Sequence, residues 1–167
     1  MGRMGRVAFL CGLALLSFAG LQLWPGTTRS NPPIVRGGAM EERLHVPQAV
    51  SRLLYQSCGN CHSNQTRWPW YSRIAPFSWQ VSRDVAEARS VMNFSDWSSG
   101  PGGDPNLERS WLALMCSAVE TRRMPPGRYL LLHPADRPNA EQVTAFCDWT
   151  RAETARLTGV AGSGQSR

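Results

Sequence analysis

Apolar residues recur at helical spacing in four stretches of the chain, and no stretch shows the strict alternation that is typical of strands. In the clearest stretch, Asp104 is placed to cap a helix that has Pro105 at its first position and ends near Arg123. Its apolar face is predicted to carry Leu107, Trp111, Leu114, Met115, Ala118 and Val119. The other candidate helices cover residues 47–57, residues 79–93, and a segment that starts after Asn139 with Gln142 in capping-box position. The pattern predicts an all-α domain.

The amino terminus follows a different pattern. Arg3 and Arg6 precede an apolar run over residues 7–24, which is ended by Pro25. A positive flank before such a run is typical of a signal peptide, but the run is also long enough to cross a bilayer as an uncleaved helix. We favour the anchor, because a cut after the small residues around Ser17 would fall inside the run. The chain beyond the run is then expected outside the cytoplasm, in the periplasm or on the periplasmic side of the inner membrane.

Composition divides the rest of the chain. A stretch that holds Pro and Gly and lacks an apolar period reads as an extended linker, and the Gly- and Ser-rich end reads as a flexible tail. The predicted segments are an anchor or signal peptide over 1–25, a linker over 26–44, a domain over 45–157 and a flexible tail over 158–167.

The distribution of charge along the chain bears on whether the protein binds nucleic acid. The chain has 167 residues and a net charge of +6, and all 18 of its basic residues are Arg. They are scattered singly except for the pair Arg122 and Arg123, so no clustered basic face of the kind that binds nucleic acid is present in the sequence. We expect no nucleic-acid partner.

The chemistry of the chain is indicated by Cys58-Gly-Asn-Cys61-His62. The spacing Cys-x-x-Cys-His is that of c-type haem attachment, in which two thiols bond to the porphyrin and the next residue binds iron with its imidazole. Long predicted loops over residues 64–78 and 95–103 also suggest that something other than side chains fills the core. The sequence therefore predicts one covalent haem c held by these three residues.

Two other interpretations of the cysteines stay open. A thioredoxin-like redox pair would need a βαβ setting, which the helical pattern does not provide. A zinc site would need two more ligands, for which Cys116, His133 and Cys147 are candidates, but no second Cys-x-x-Cys pair exists in the sequence.

Residues 55–79 resemble the signature block of the bacterial haem-binding domain family, whose small exported members carry Cys-x-x-Cys-His-Ser-Asn-x-Thr followed by Pro-Trp-Tyr. Residues 93–97 and 124–134 are similar to later blocks of that family, as is Asn-Pro-Pro at residues 31–33. The resemblance implies a cytochrome c-like helical domain around one covalent haem, preceded here by the apolar helix, and says little about a reaction.

The second axial position of the iron needs its own ligand. Met124 is the leading candidate, because it follows a helix and precedes Pro125-Pro126, a rigid turn suited to presenting a thioether. His133 is the alternative distal ligand. Trp70 and Tyr71 are the aromatic residues that we predict in the haem pocket.

Two further contacts are predicted around this centre. The Nδ1–H of His62 should donate to a backbone carbonyl, for which we expect the loop before Pro76. Cys116 and Cys147 lie on two predicted helices, and in an oxidising compartment they are candidates for a disulfide that encloses the distal-ligand loop.

Together these features predict a mono-haem c-type cytochrome, a periplasmic electron carrier with His/Met-ligated iron rather than an enzyme. Its expected partners are redox proteins and, through the uncleaved apolar helix, the inner membrane. The alternative is a haem enzyme or a gas or peroxide sensor, in which Met124 does not bind and the distal iron position stays open.

Overall fold

The computed structural model describes residues 2–23, 28–34 and 36–163, and this part of the chain is helical with no strand. The α-helices are α1 (Arg3–Gln22), α2 (Met40–Arg43), α3 (Gln48–Ser57), α4 (Gly59–His62), α5 (Phe77–Val91), α6 (Pro105–Glu120), α7 (Gly127–Leu132) and α8 (Ala140–Ser163). Short 3₁₀ turns lie at Trp70–Arg73, Phe94–Asp96, Pro101–Gly103 and Pro134–Asp136. The all-α prediction is confirmed. The two predicted loops, residues 64–78 and 95–103, contain the turns at Trp70–Arg73 and Pro101–Gly103, and α5 begins at Phe77, inside the first of them.

The helix starts follow the capping residues in the sequence. Asp104 accepts a hydrogen bond from the amide of Asn106 (2.7 Å) at the start of α6. Before α8, Asn139 and Gln142 bond to each other's backbone amides at 2.9 and 2.8 Å, which is the predicted capping box. These bonds satisfy amides that have no partner inside the helix, so the two predicted starts are confirmed.

The carboxyl end of α6 is a tight reversal. Arg122 has a φ of 56°, in the left-handed region, and the next two amides, those of Arg123 and Met124, both donate to the carbonyl of Ala118 (2.9 and 3.0 Å). Such a left-handed residue after the last turn is a common way to satisfy a helix carboxyl end. The reversal fixes the backbone position from which Met124 leaves the helix.

The core lies between α3, α6, α8 and the turn at Phe94–Asp96. Trp97 is fully buried, and its Nε1 donates to the buried Glu108 carboxylate at 2.6 Å. A Cβ at Gly102 would lie 2.4 Å from Trp97 Cδ1, so this position has no room for a side chain. Cys116 on α6 and Cys147 on α8 form a disulfide, as predicted.

The buried face of α6 matches the predicted one only in part, since Met115 and Val119 are buried as predicted. Leu107 and Leu114 are exposed, whereas Leu112 and Cys116 are buried. Apolar residues occur on both sides of this helix, so periodicity alone could not select the face, and the packing of α8 against Cys116 selects it.

The segment predicted as a linker, residues 26–44, makes defined contacts with the domain wherever it is described. Asn31 Nδ2 donates to the carbonyl of Thr66 (2.9 Å), and Asn64 Nδ2 donates to the carbonyl of Pro33 (2.9 Å). Met40 is fully buried in the core. Core packing therefore begins before His45, and the segment lacks an apolar period because most of its contacts are polar.

The two ends of the chain lie outside this core. All of the described side chains of α1 are at least partly exposed, and α1 is long and apolar enough to cross a membrane. At the other end α8 continues through Ser163, into the segment predicted as a tail, and residues 164–167 lie outside the described residues.

Candidate functional site

The Cys-x-x-Cys-His sequence forms a single helical turn. Cys58 ends α3 and begins α4, and its carbonyl accepts from the amides of Cys61 (3.0 Å) and His62 (2.9 Å). Residues three apart in such a turn lie on the same side. Cys58 and Cys61 are both free cysteines, so the turn presents two thiols and an imidazole close together.

The His62 ring is held in one orientation. Its Nδ1 lies 3.1 Å from the carbonyl oxygen of Met92, and because a carbonyl only accepts, Nδ1 carries the proton. The ring stacks on Phe94, with centroids 5.9 Å apart. The carbonyl therefore comes from the residue that directly follows α5, and our expectation of the loop before Pro76 is wrong.

Burial keeps the imidazole neutral. It lowers the pKa of His62, and the hydrogen bonds to the carbonyls of Met92 and Ala88 oppose this shift only in part. With the proton on Nδ1, the lone pair of Nε2 is available to a metal. The side chain is thus in the form and orientation of a metal ligand.

The two thiols stay protonated at neutral pH. Burial, followed by the neighbouring Cys61, raises the pKa of Cys58 to about 12. Burial and then Asp84 raise the pKa of Cys61 to about 11, against the opposing effect of Arg128 and Arg89. A reactive redox pair needs a lowered thiol pKa, so this environment does not favour the thioredoxin-like interpretation.

The zinc interpretation also finds no support in the described part of the chain. The one cluster there of three potential metal-ligand side chains is Cys116, Glu120 and Cys147, and its two cysteines are bonded to each other. Neither Cys58 nor Cys61 belongs to it.

A polar network connects the motif to α7. Asn60 Nδ2 donates to the hydroxyl of Tyr129 (2.9 Å), which in turn donates to the carboxylate of Asp136. The Tyr129 ring stacks on His133, with centroids 4.3 Å apart. Tyr71 Oη lies 2.7 Å from His133 Nε2. The network therefore brings Tyr71 and His133, both predicted site residues, together beside the motif.

Burial is the main influence on the two tyrosines of this network. It raises the pKa of Tyr71, and the neighbouring Cys61 raises it further. It also raises the pKa of Tyr129, with a smaller contribution from the Asp136 carboxylate that accepts the hydroxyl proton. Both hydroxyls keep their protons at neutral pH, and that of Tyr129 donates to Asp136.

The remaining predicted residues are more exposed. Met124 is 41 % exposed, and it lies between the reversal that ends α6 and the first residue of α7. Trp70 is 75 % exposed and contacts Tyr71 edge to face, with centroids 5.8 Å apart. His133, the alternative distal ligand, has its Nε2 within hydrogen-bond distance of the Tyr71 hydroxyl.

Arg89 of α5 connects the segment after α1 to the segment after the motif. Its guanidinium donates to the carbonyls of Ser63 (2.8 Å) and Ser30 (2.9 Å), and to the side chains of Asn31 (3.0 Å) and Thr66 (2.8 Å). The sequence analysis missed Arg89, Asn60 and Tyr129. Only Asn60 had a sequence signal, its place inside the motif.

Comparison with known proteins gives one match. The model of a protein family described as a haem-binding domain matches residues 16–152, which is more than half of the chain and includes α3 to α7. Neither the curated proteins nor the solved structures give a match. The family match confirms the resemblance carried by residues 55–79, and haem is the cofactor that it supports.

Proposed function

The chain belongs to the haem-binding domain family, and from this premise we propose that it is a mono-haem c-type cytochrome. His62 and Met124 would hold the haem iron, and the protein would carry electrons to or from redox partner proteins on the periplasmic side of the inner membrane. The observation that carries the proposal is the geometry of His62, which is neutral, oriented by Met92 and adjacent to two unpaired thiols.

The donor set fits a covalently attached haem. Attachment uses thiols that are free of a disulfide, and Cys58 and Cys61 meet this condition within one helical turn of His62. A histidine ligand of haem iron binds through one ring nitrogen while the other is fixed by a hydrogen-bond acceptor. The carbonyl of Met92 is such an acceptor, so Nε2 of His62 is the atom assigned to iron.

The surroundings also suit a large apolar group. Side chains of α7 and of the segment before α5 leave apolar surface in contact with water: Trp70, Leu131 and Leu132 are all exposed. Exposed apolar residues in such number usually mark a binding surface. The Nε1 of Trp68 is buried and has no partner in the part of the chain that the structure describes, which makes it a candidate donor to a polar group of the cofactor.

A bound haem supplies one-electron chemistry, because its iron is stable in both the ferric and the ferrous state. The roles of the chain are to attach it through Cys58 and Cys61, to bind iron through His62, and to fix that imidazole through Met92. Thioether ligation by Met124 would raise the potential, which suits an electron carrier. No proton transfer or substrate is required.

Met124 is preferred to His133 as the distal ligand for two reasons. Its side chain is partly exposed, so the thioether is free to bind iron. Its backbone amide is hydrogen-bonded to Ala118, which holds the point of attachment of the side chain in place. His133 has its Nε2 2.7 Å from Tyr71 and its Nδ1 3.8 Å from Asp136. Ligation by His133 would have to break this network.

The same network supports the second candidate function, a haem enzyme or a gas or peroxide sensor. Tyr71 and His133 form a hydrogen-bonded pair near Cys61, and distal polar groups are what tune binding at an open iron position. In that case Met124 would be a packing residue.

Two features of the chain support the proposed location. Arg3 and Arg6 at the start of α1 favour a cytoplasmic amino end under the positive-inside rule. A disulfide between Cys116 and Cys147 suits an oxidising compartment. Both features support a domain on the periplasmic side, with α1 retained as its membrane anchor.

The coordination of the iron tests this function. We would record visible and magnetic circular dichroism spectra of the oxidised and reduced full chain, produced with haem-attachment machinery, together with Met124→Ala and His133→Ala. The proposal predicts low-spin iron with the charge-transfer band of methionine-ligated ferric haem, lost in Met124→Ala and retained in His133→Ala. Met115→Leu, which removes a buried thioether from α6, is the matched control and should keep the band. High-spin wild-type iron would contradict the carrier and favour the second candidate.

A further inference from the structure

The carboxyl end of α1 is attached to the loop that precedes α5. Gln22 Oε1 accepts from the amide of Ala75 (2.9 Å), and Gln22 Nε2 donates to the carbonyl of Ala75 (3.3 Å). A second attachment lies further along the chain, where Arg29 Nη1 donates to the carbonyl of Ser72 (2.7 Å). On either side of residues 24–27 the chain is therefore bonded to the same short loop.

If α1 crosses a bilayer, these attachments determine where the loop lies relative to the membrane. Its 20 residues span about 30 Å at 1.5 Å per residue, which equals the thickness of the hydrocarbon core. Gln22 then lies at the membrane–water interface opposite Arg3 and Arg6. Its two hydrogen bonds hold Ala75, and with it the loop of residues 70–77, at that interface.

The loop presents side chains that suit such a position. Phe77 is 56 % exposed and Trp70 is 75 % exposed, although both contact Tyr71 with one edge. Aromatic side chains are enriched where proteins meet the headgroup region. The contact between Trp70 and Tyr71 uses one edge only, so Trp70 can face lipid and still border the predicted haem pocket.

The charge of the loop also favours contact with a membrane surface. Arg73 is exposed within the loop. The stretch of sequence between Glu42 and Asp84, to which the loop belongs, holds no acidic residue. No carboxylate of that stretch therefore opposes the attraction of Arg73 to anionic headgroups, which acts within a Debye length of the membrane.

We propose that the loop of residues 70–77 rests on the anionic phospholipid surface of the membrane that α1 crosses, with Trp70, Arg73 and Phe77 in the headgroup region. The domain is thereby held in one orientation rather than swinging on a free tether. The proposal rests on the retained anchor of the proposed function, and it adds a second membrane contact that the anchor alone does not require.

Photo-crosslinking to lipid tests the orientation. The haem-loaded full chain is placed in vesicles of phosphatidylcholine and phosphatidylglycerol with p-benzoylphenylalanine at Phe77 or, as a matched control, at Leu114. Leu114 is an apolar residue of α6 with similar exposure, 53 %, and it belongs to an element outside the loop. After irradiation, phospholipid adducts on each position are counted by mass spectrometry, and unchanged haem spectra show that both variants are folded.

We expect about tenfold more adduct at residue 77 than at residue 114, since contact with the headgroup region is what brings lipid within reach of the probe. Arg73→Glu should lower the yield at residue 77 about twofold or more, whereas Arg137→Glu, at an exposed position on another element, should not.

Flotation of the vesicles separates the two ways in which the proposal can fail. If the chain floats with the vesicles and both positions are labelled equally, the anchor stands and the orientation is overturned. If the chain does not float, the retained anchor itself is wrong, and the membrane contact fails with it.

Discussion

Asn60, one of the two residues between the attachment positions of the motif, forms hydrogen bonds with two other segments. Its Nδ2 donates to Tyr129 (2.9 Å), its Oδ1 accepts from the amide of Arg67 (3.1 Å), and its carbonyl accepts from the hydroxyl of Thr66 (2.8 Å). A single amide side chain thus fixes the motif against α7 and against the segment that follows it.

Asn60→Ala removes the two side-chain hydrogen bonds and leaves the half-buried Tyr129 hydroxyl with one partner fewer. We expect it to lower the free energy of unfolding by about 1–3 kcal/mol, measured by urea denaturation of the haem-loaded chain. Gln65→Ala, at an exposed position five residues away, should change it by about 0.5 kcal/mol or less. Equal effects of the two substitutions would show that the Asn60 contacts do not stabilise the fold.

Residue type decides how much of the site could be predicted. Cys58, Cys61 and His62 are recognisable because their spacing matches one chemistry. The acceptor for His62 is the backbone carbonyl of Met92, and since every residue has a carbonyl, no side chain identified it in advance. Tyr129 and Arg89 were missed for a related reason, because their contacts join segments far apart in sequence.

At the scale of elements, α8 is joined to the segment before α3 through a buried carboxylate. Glu153 accepts from the amide of His45 (2.9 Å) and from Arg156 Nε (2.9 Å). Trp149 Nε1 donates to the carbonyl of His45 (2.8 Å). Both backbone polar groups of His45 are therefore satisfied by one face of α8.

The pKa of Glu153 makes this contact dependent on pH. Burial alone would raise it, but the hydrogen bonds from Arg156 and His45 outweigh burial and hold the pKa below its ordinary value. The unfolded chain therefore binds the proton more readily, so the stabilisation is complete above the ordinary Glu pKa of about 4.3 and is lost as pH falls through the folded value.

Glu153→Gln should therefore cost about 1–3 kcal/mol at neutral pH, and the difference from wild type should shrink as the pH falls below about 4. Urea denaturation across this pH range measures both effects. Glu87→Gln at an exposed position of α5 is the matched control. A difference that stays constant with pH would contradict the role of the carboxylate charge.

The disulfide joins the two longest helices of the core, α6 and α8. Cys116 and Cys147 are separated by 31 residues, and the loop between them contains Met124 and His133. A crosslink over a loop of this length limits the freedom of the unfolded chain.

The double substitution Cys116→Ala and Cys147→Ala should lower the free energy of unfolding by about 3–4 kcal/mol, from the entropy of closing such a loop. Denaturation of the oxidised protein measures it, and peptide mapping without reductant should show the two cysteines joined. Cys11→Ala, which removes a free cysteine of α1, should have no comparable effect. If the double variant is as stable as Cys11→Ala, the bond does not contribute.

The elements themselves were predictable where local chemistry determines them. Asp104 and Asn139 cap α6 and α8 as their sequences indicate. The buried face of α6 was predicted only in part: Met115 and Val119 are buried as expected, whereas Leu107 and Leu114 are apolar yet exposed. Which face of such a helix is buried depends on the partner helix, and the sequence of α6 does not contain that information.

At the scale of the whole molecule, the segment after α1 is part of the domain rather than a spacer. Asn31 and Pro33 bond to the segment after the motif, and Met40 enters the core. Composition could not reveal this, because Pro, Gly and polar residues serve equally in a free linker and in a docked one. If α1 crosses a membrane as proposed, this docked segment would restrict the movement of the domain relative to α1.

The central claim is that one haem is covalently attached at Cys58 and Cys61, next to His62. The most direct measurement is the intact mass of the full chain, produced with haem-attachment machinery, denatured and extracted with acidified acetone. We predict a chain that keeps the mass of exactly one haem, with both motif cysteines resistant to alkylation. Loss of all haem on extraction, with Cys58 and Cys61 both alkylated, would contradict the account.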